Sequence, residues 1–164
     1  MQIDVIQILR ALQAQDVKFM VIGGMHFLFR HEPILTYDLD IWIRDTAENR
    51  SRCHAALVEL DASWGETEAS WRPIAERSDD WLARQSVFSV LTEYGPLDIF
   101  RSVAGLGSWE ESRQHTVEVR LPGGVSYFGL SDEDMLACQE ALPEGQRKLD
   151  RIQILRRAID GRPS

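Results

Sequence analysis

Asp38 and Asp40 fall in the run Thr36-Tyr37-Asp38-Leu39-Asp40-Ile41-Trp42-Ile43, where acid and apolar residues alternate. In a strand this period puts both carboxylates on one face, separated by roughly 6.6 Å along the backbone, and Leu39, Ile41 and Ile43 on the other. The other acid-x-acid pairs, Glu59/Asp61, Glu66/Glu68 and Asp132/Asp134, read as solvated or helix-capping acids. Two like charges side by side on a mostly buried element repel. A divalent cation relieves that repulsion, and carboxylate oxygens are the ligands that Mg2+ and Mn2+ prefer. Asp98, between Leu97 and Ile99, is a lone strand acid. Read by itself it is an edge-strand acid facing water. Beside the first acidic strand it becomes the third carboxylate of a site able to hold two metals.

Gly23-Gly24 ends the apolar run Val17 to Ile22 and precedes a short helical stretch. Glycines at such a junction let backbone N–H groups approach a phosphate, and a helix start adds partial positive charge. Gly123-Gly124 is the same dipeptide and reads as a hairpin turn, so the pair at 23 and 24 draws its meaning from Asp38, which follows 14 residues later. His26 lies among Met25, Phe27 and Leu28 and reads as a packing residue. His31, His54 and His115 lack metal-ligand spacing, and Ser86, Ser89 and Ser102 lack an identifiable base. Trp64, Trp71, Trp81 and Trp109 read mainly as packing. Arg147, Lys148, Arg151, Arg156 and Arg157 cover more than one face of the last helix, as a solvated surface or as a wall facing phosphates.

The elements that must hold these residues follow from periodicity. Ile3 to Gln15 carries Val5, Ile8, Leu9 and Leu12 at helical spacing. A buried strand from Val17 to Ile22, a strand from Asp38 to Arg44 and a helix from Thr46 come next. Residues 61–84 read as loop with some helix. Hairpins are expected over 87–100, turning at Glu93 to Pro96, and over 116–130, turning at Pro122 to Gly124. Ser131 caps a helix, and a second runs from Gln146 to Ile159. The expected fold is α+β: a mixed β-sheet with helices packed on it over residues 1–130, and a short C-terminal helical pair over 131–164. The 164 residues carry 18 basic and 26 acidic side chains, a net charge of −8, which argues against a nonspecific nucleic-acid coat. Two separated cysteines exclude a disulfide scaffold or zinc ribbon as the organising principle. With no membrane-length apolar run and an acidic start, the expected location is the cytoplasm, with no membrane partner.

Val21-Ile22-Gly23-Gly24, Thr36-Tyr37-Asp38-Leu39-Asp40-Ile41 and Leu97-Asp98-Ile99 together resemble the nucleotidyltransferase superfamily, the polymerase-β-like fold. The likeness is to its small bacterial and archaeal members, some of them toxins of toxin–antitoxin or abortive-infection systems. The resemblance implies transfer of a nucleoside monophosphate from a nucleoside triphosphate to a hydroxyl acceptor, which is RNA, protein or a small molecule. It implies that Asp38, Asp40 and Asp98 are catalytic and hold Mg2+ or Mn2+. Gly23, Gly24, Thr36, Arg147 and Lys148 would bind the nucleotide, ATP among the candidates, and an antitoxin-like protein is an implied partner. Two rival readings stand beside it. One is a nucleotide- or partner-binding module on the same fold; the other is a helix-turn-helix DNA-binding protein built on residues 131–158.

Overall fold

The computed structural model describes residues 2–78 and 80–163. Helix α1 (Val5–Ala14) begins where the Asp4 carboxylate accepts from the backbone N–H of Gln7, and it buries Val5, Ile8, Leu9 and Leu12. Strand β1 (Phe19–Ile22) is buried at every position, as a central strand covered on both faces must be. Helix α2 (Gly23–Arg30) follows it directly. Strand β2 (Leu39–Ile43) leads to helix α3 (Ala47–Glu59), capped by Thr46. Short strands β3 (Ser63–Trp64) and β4 (Arg72–Pro73) lie in the segment expected to be loop with some helix. They escaped the periodicity because a two-residue strand has no period to display.

The two expected hairpins are β5 (Val87–Thr92) with β6 (Gly95–Phe100), and β7 (Val117–Arg120) with β8 (Ser126–Gly129). Helix α4 (Trp109–Arg113) sits between them. Helix α5 (Asp132–Glu140) is capped by Ser131, and α6 (Leu149–Asp160) starts three residues later than the sequence suggests. The delay has a local cause: Glu144–Gln146 form one tighter turn after Pro143, and Arg147 is extended.

All eight strands join one mixed sheet, ordered β4-β3-β5-β6-β2-β1-β8-β7. β2 runs antiparallel to β1 and parallel to β6, and β1 runs parallel to β8. Period-two alternation divides the interior. Phe19, Val21, Leu39, Ile41, Ile43, Leu97 and Ile99 enter the core on the face that carries α1 and α3. Met20, Ile22 and Trp42 enter a smaller core with Leu130, Met135 and Leu155 beneath α5 and α6. The acids of β2 and β6 therefore emerge on the second face, at the margin of the smaller core.

Candidate active site

The parallel pairing of β2 with β6 sets Asp40 opposite Asp98, and Asp38 joins them from the residue just before β2. One oxygen from each of the three lies within 4.8 Å of the others. Burial raises the Asp38 carboxyl above its ordinary range, followed by its hydrogen bond with Asp98 and that residue's charge. Burial raises Asp40 further, to about 8, with the charges of Asp38 and Asp98 adding to it. Arg151 pulls the other way and does not compensate. Asp40 Oδ1 is buried without a hydrogen-bond partner. An orphaned, desolvated oxygen in a cluster of like charges fits a divalent cation.

Gly23 explains why the turn and the acids can touch. Its φ is +72°, and an added Cβ would stand 3.0 Å from Asp40 Cγ and closer still to Oδ2. Only a residue without a side chain admits the carboxylate there. Ile22 provides no side-chain cap for α2, so the first N–H groups of that helix are open to an acceptor beside the acids. A Cβ on Gly24 would lie 3.2 Å from Thr36 Oγ1 and 3.5 Å from both terminal nitrogens of Arg151. Thr36 and Arg151 thus overhang the turn.

The structure brings Asp38, Asp40, Asp98, Gly23, Gly24 and Thr36 into one place, but not Arg147. The Arg147 guanidinium donates to the carbonyls of Leu142 and Glu140 at the end of α5. Lys148 precedes α6 and is exposed, its backbone N–H donating to Gln139 Oε1 at 2.8 Å. The cation of this helix that reaches the turn is Arg151, one turn further on. A signal for it existed: Leu155, four residues beyond, is buried, and residues at that spacing share a helix face. A cavity of about 250 Å³ opens from Gly23, Asp40 and Arg151 and runs between Phe27, Phe100 and Leu155. Sequence alone gave no sign of it, because its walls come from five separate segments.

His26 is a packing residue. It is fully buried, with Nδ1 at 2.9 Å from the Tyr127 hydroxyl and Nε2 at 2.8 Å from the Leu130 carbonyl oxygen. Burial lowers it to about 4, so it is neutral at pH 7. Trp64 and Trp81 pack with Phe88, and the Trp109 indole N–H donates to the Trp42 carbonyl. Trp71 remains exposed.

With a strand leading into a glycine turn and helix and three acids gathered beside that turn, the chain has the fold of solved nucleotidyltransferases. The lincosamide antibiotic adenylyltransferase LnuA, solved with lincomycin bound, superposes with a TM-score of 0.62 at 15% identity, over 95% of this chain and 98% of that one. ANT(2'')-Ia in complex with adenylyl-2''-tobramycin gives 0.58 at 15% identity, over 96% and 86%. A Thermotoga maritima protein assigned as a nucleotidyltransferase gives 0.52 at 18%, over 95% and 90%. No family model matches the sequence, and no curated protein does. Among the described residues no helix is long and apolar enough to cross a membrane.

Proposed function

We propose that this chain is a metal-dependent nucleotidyltransferase that moves a nucleoside monophosphate from a nucleoside triphosphate to a hydroxyl of a small molecule. The observation that carries the reading is the meeting of Asp38, Asp40 and Asp98 within 4.8 Å against the open start of α2. In such a site the N–H groups at Gly23 and Gly24 hold phosphate oxygens, with Thr36 and the Arg151 guanidinium above them. The cavity between Phe27, Phe100 and Leu155 takes an apolar or planar part of a substrate. Asp38, Asp40 and Asp98 would hold Mg2+ or Mn2+, which supplies charge neutralisation at the phosphates and lowers the pKa of the attacking hydroxyl. The acceptor oxygen bonds to the α-phosphorus and the bond to the bridging oxygen of the β-phosphate breaks. Pyrophosphate leaves, and the hydroxyl proton passes to Asp98 or solvent.

The small-molecule acceptor rests on fold neighbours solved with lincomycin and with adenylylated tobramycin. The test supplies α-labelled nucleoside triphosphates, Mn2+, and separately a hydroxylated antibiotic panel, total RNA and a protein extract. Label on a small molecule with stoichiometric pyrophosphate, lost in Asp40→Asn, is the expected result. Label on RNA or protein overturns the acceptor. Nucleotide binding without transfer to any of them overturns the enzyme and leaves a binding module.

A further inference from the structure

The two ends of the sheet are finished differently. At one end β4 is two residues long and one of them is Pro73, which has no N–H to offer. That edge is blunted. At the other end β7 presents Val117-Glu118-Val119-Arg120, with neither proline nor lysine. Its pairing with β8 sets Val119 against Tyr127, and two residues on, the Leu121 N–H donates to the Val125 carbonyl at 2.7 Å. Alternation then turns the backbone groups of residues 117, 119 and 121 towards β8 and those of Glu118 and Arg120 outward. Among the described residues no hydrogen bond reaches these outward groups.

We propose that β7 pairs with β7 of a second copy of this chain, antiparallel about a two-fold axis at Val119. Only registers that oppose outward-facing residues form a ladder, which leaves three centres. An axis at Glu118 sets Glu118 against its own copy, and an axis at Arg120 sets Arg120 against its own copy. Like charges directly opposite are unfavourable. The axis at Val119 sets Glu118 against the partner's Arg120 twice, and those pairs are the ones that exchange both N–H···O=C bonds. The strand is self-complementary in charge and in hydrogen bonding at one register. Glu118 and Arg120 are available for it, with side chains 46% and 84% exposed and, among the described residues, only a 3.7 Å ion-pair contact to each other. On the opposite face Val117, Val119 and Leu121 are half-buried, and the copy's valines would extend that apolar row. Pro122 stops the ladder at each end, so the contact is short and the dimer dissociable. Asp40 on β2 and Asp98 on β6 lie three and four strands in from β7, so both sites remain open.

Sedimentation velocity of the full chain over about 1 to 500 µM should reveal a monomer–dimer equilibrium. By symmetry Glu118→Arg and Arg120→Glu each replace two opposite pairs by two like pairs, and each should weaken the dimer about tenfold or more. The double variant E118R/R120E restores opposite pairs and should return the wild-type constant. Hydrogen exchange should slow at the amides of Glu118 and Arg120 as concentration rises, with those of Val117 and Val119 unchanged. A monomer throughout the range, single variants that dimerise like wild type, or a double variant as weak as the singles overturns the proposal. So does a dimer that leaves those two amides unprotected. None of these readouts depends on the nucleotidyltransferase reaction.

Discussion

Replacing Asp40 by Asn should stabilise the protein at neutral pH in the absence of divalent ions. The native carboxyl, raised to about 8 by burial and by Asp38 and Asp98, keeps its proton at pH 7, whereas the unfolded chain releases it near 3.8. Below about pH 4 both states are protonated and the residue is neutral in the balance. As pH rises from about 4 to 8 the native state holds more protons than the unfolded one, so stability falls by about 1.4 kcal/mol per pH unit. The accumulated cost is about 4 kcal/mol at pH 7 and levels off above about 8. Asparagine keeps the shape of the protonated acid and removes the titration. For a chain of this size the gain is a Tm higher by about 8 to 16 °C at neutral pH, as a ceiling. Calorimetry of both proteins in chelator should give a gap that is near zero at pH 4 and widest at pH 8. Mn2+ with a nucleoside triphosphate at about ten times its Kd should then raise the wild type by roughly 1.4 kcal/mol and the variant by far less. A variant less stable than wild type at pH 7.5, or a gap indifferent to pH, would refute the strained-cluster argument.

Gly23→Ala should cost about 1 to 3 kcal/mol, from the positive φ alone, and abolish transfer because the methyl displaces the Asp40 carboxylate; urea unfolding and the labelled-nucleotide assay measure the two losses separately. Arg151→Gln should raise the Kd for nucleoside triphosphate about tenfold with little change in Tm, whereas Arg147→Gln should lower stability by about 1 kcal/mol and leave nucleotide affinity unchanged. Isothermal titration and thermal melts of the pair check this, and equal effects on affinity would return the role to both. Asp132 is buried against His31 Nε2 at 2.6 Å and takes Arg162 and Arg30 as well. Burial pushes this acid up, but His31 and the two arginines outweigh it and hold it below 3.8. Its contribution is therefore present above about pH 4 and lost as pH falls through the native value, and Asp132→Asn should cost about 3 kcal/mol at pH 7 by denaturant melts.

The central strands were legible because they obey strong rules. β2 alternates, so its faces could be assigned before any fold was known, and Asp40 stands where that alternation puts it. β1 is uniformly apolar, and two-sided burial is what such a run means. The pairing of Asp98 with Asp40 was not legible: residues 58 positions apart meet through a parallel crossover, and only the family resemblance linked them. The C-terminal cations were ambiguous in a specific way. Five of them lie within 11 residues, and which one faces inward depends on where the helix starts. A start at 146 would put Arg147 on the helical face of Arg151 and Leu155, whereas the start at 149 leaves Arg147 outside the helix. The turn after Pro143 that delays it leaves Arg147 to cap α5 and Arg151 to approach Gly24.

The acid cluster, the cavity and the glycine turn share one structural cause. The sheet is covered on one face by α1 and α3 over a continuous core, but on the other only partly, by α5 and α6. Where that second cover stops, β2 and β6 carry acids in place of apolar side chains, and Val87, Ser89 and Leu91 on the adjoining strand face water. The carboxylates are thus half in a core and half out of it, which raises Asp40 and still leaves it reachable. Such a position is tolerable only if its neighbours cannot move aside. Helix α2 is fixed at its middle by His26 against Tyr127 and Leu130, and at its end by His31 against Asp132. Loosening either anchor should let the turn at Gly23 retreat from Asp40 and relax the cluster. Tyr127→Phe tests that link, since it removes one hydrogen bond with little change in volume and Tyr127 belongs to the core on the opposite face of the sheet from the acids. If the anchor matters, the variant loses about 1 kcal/mol of stability and also part of the pH-dependent gap between Asp40 and its Asn variant. A gap unchanged in the Tyr127→Phe background would mean that the turn holds its place without help from the helix.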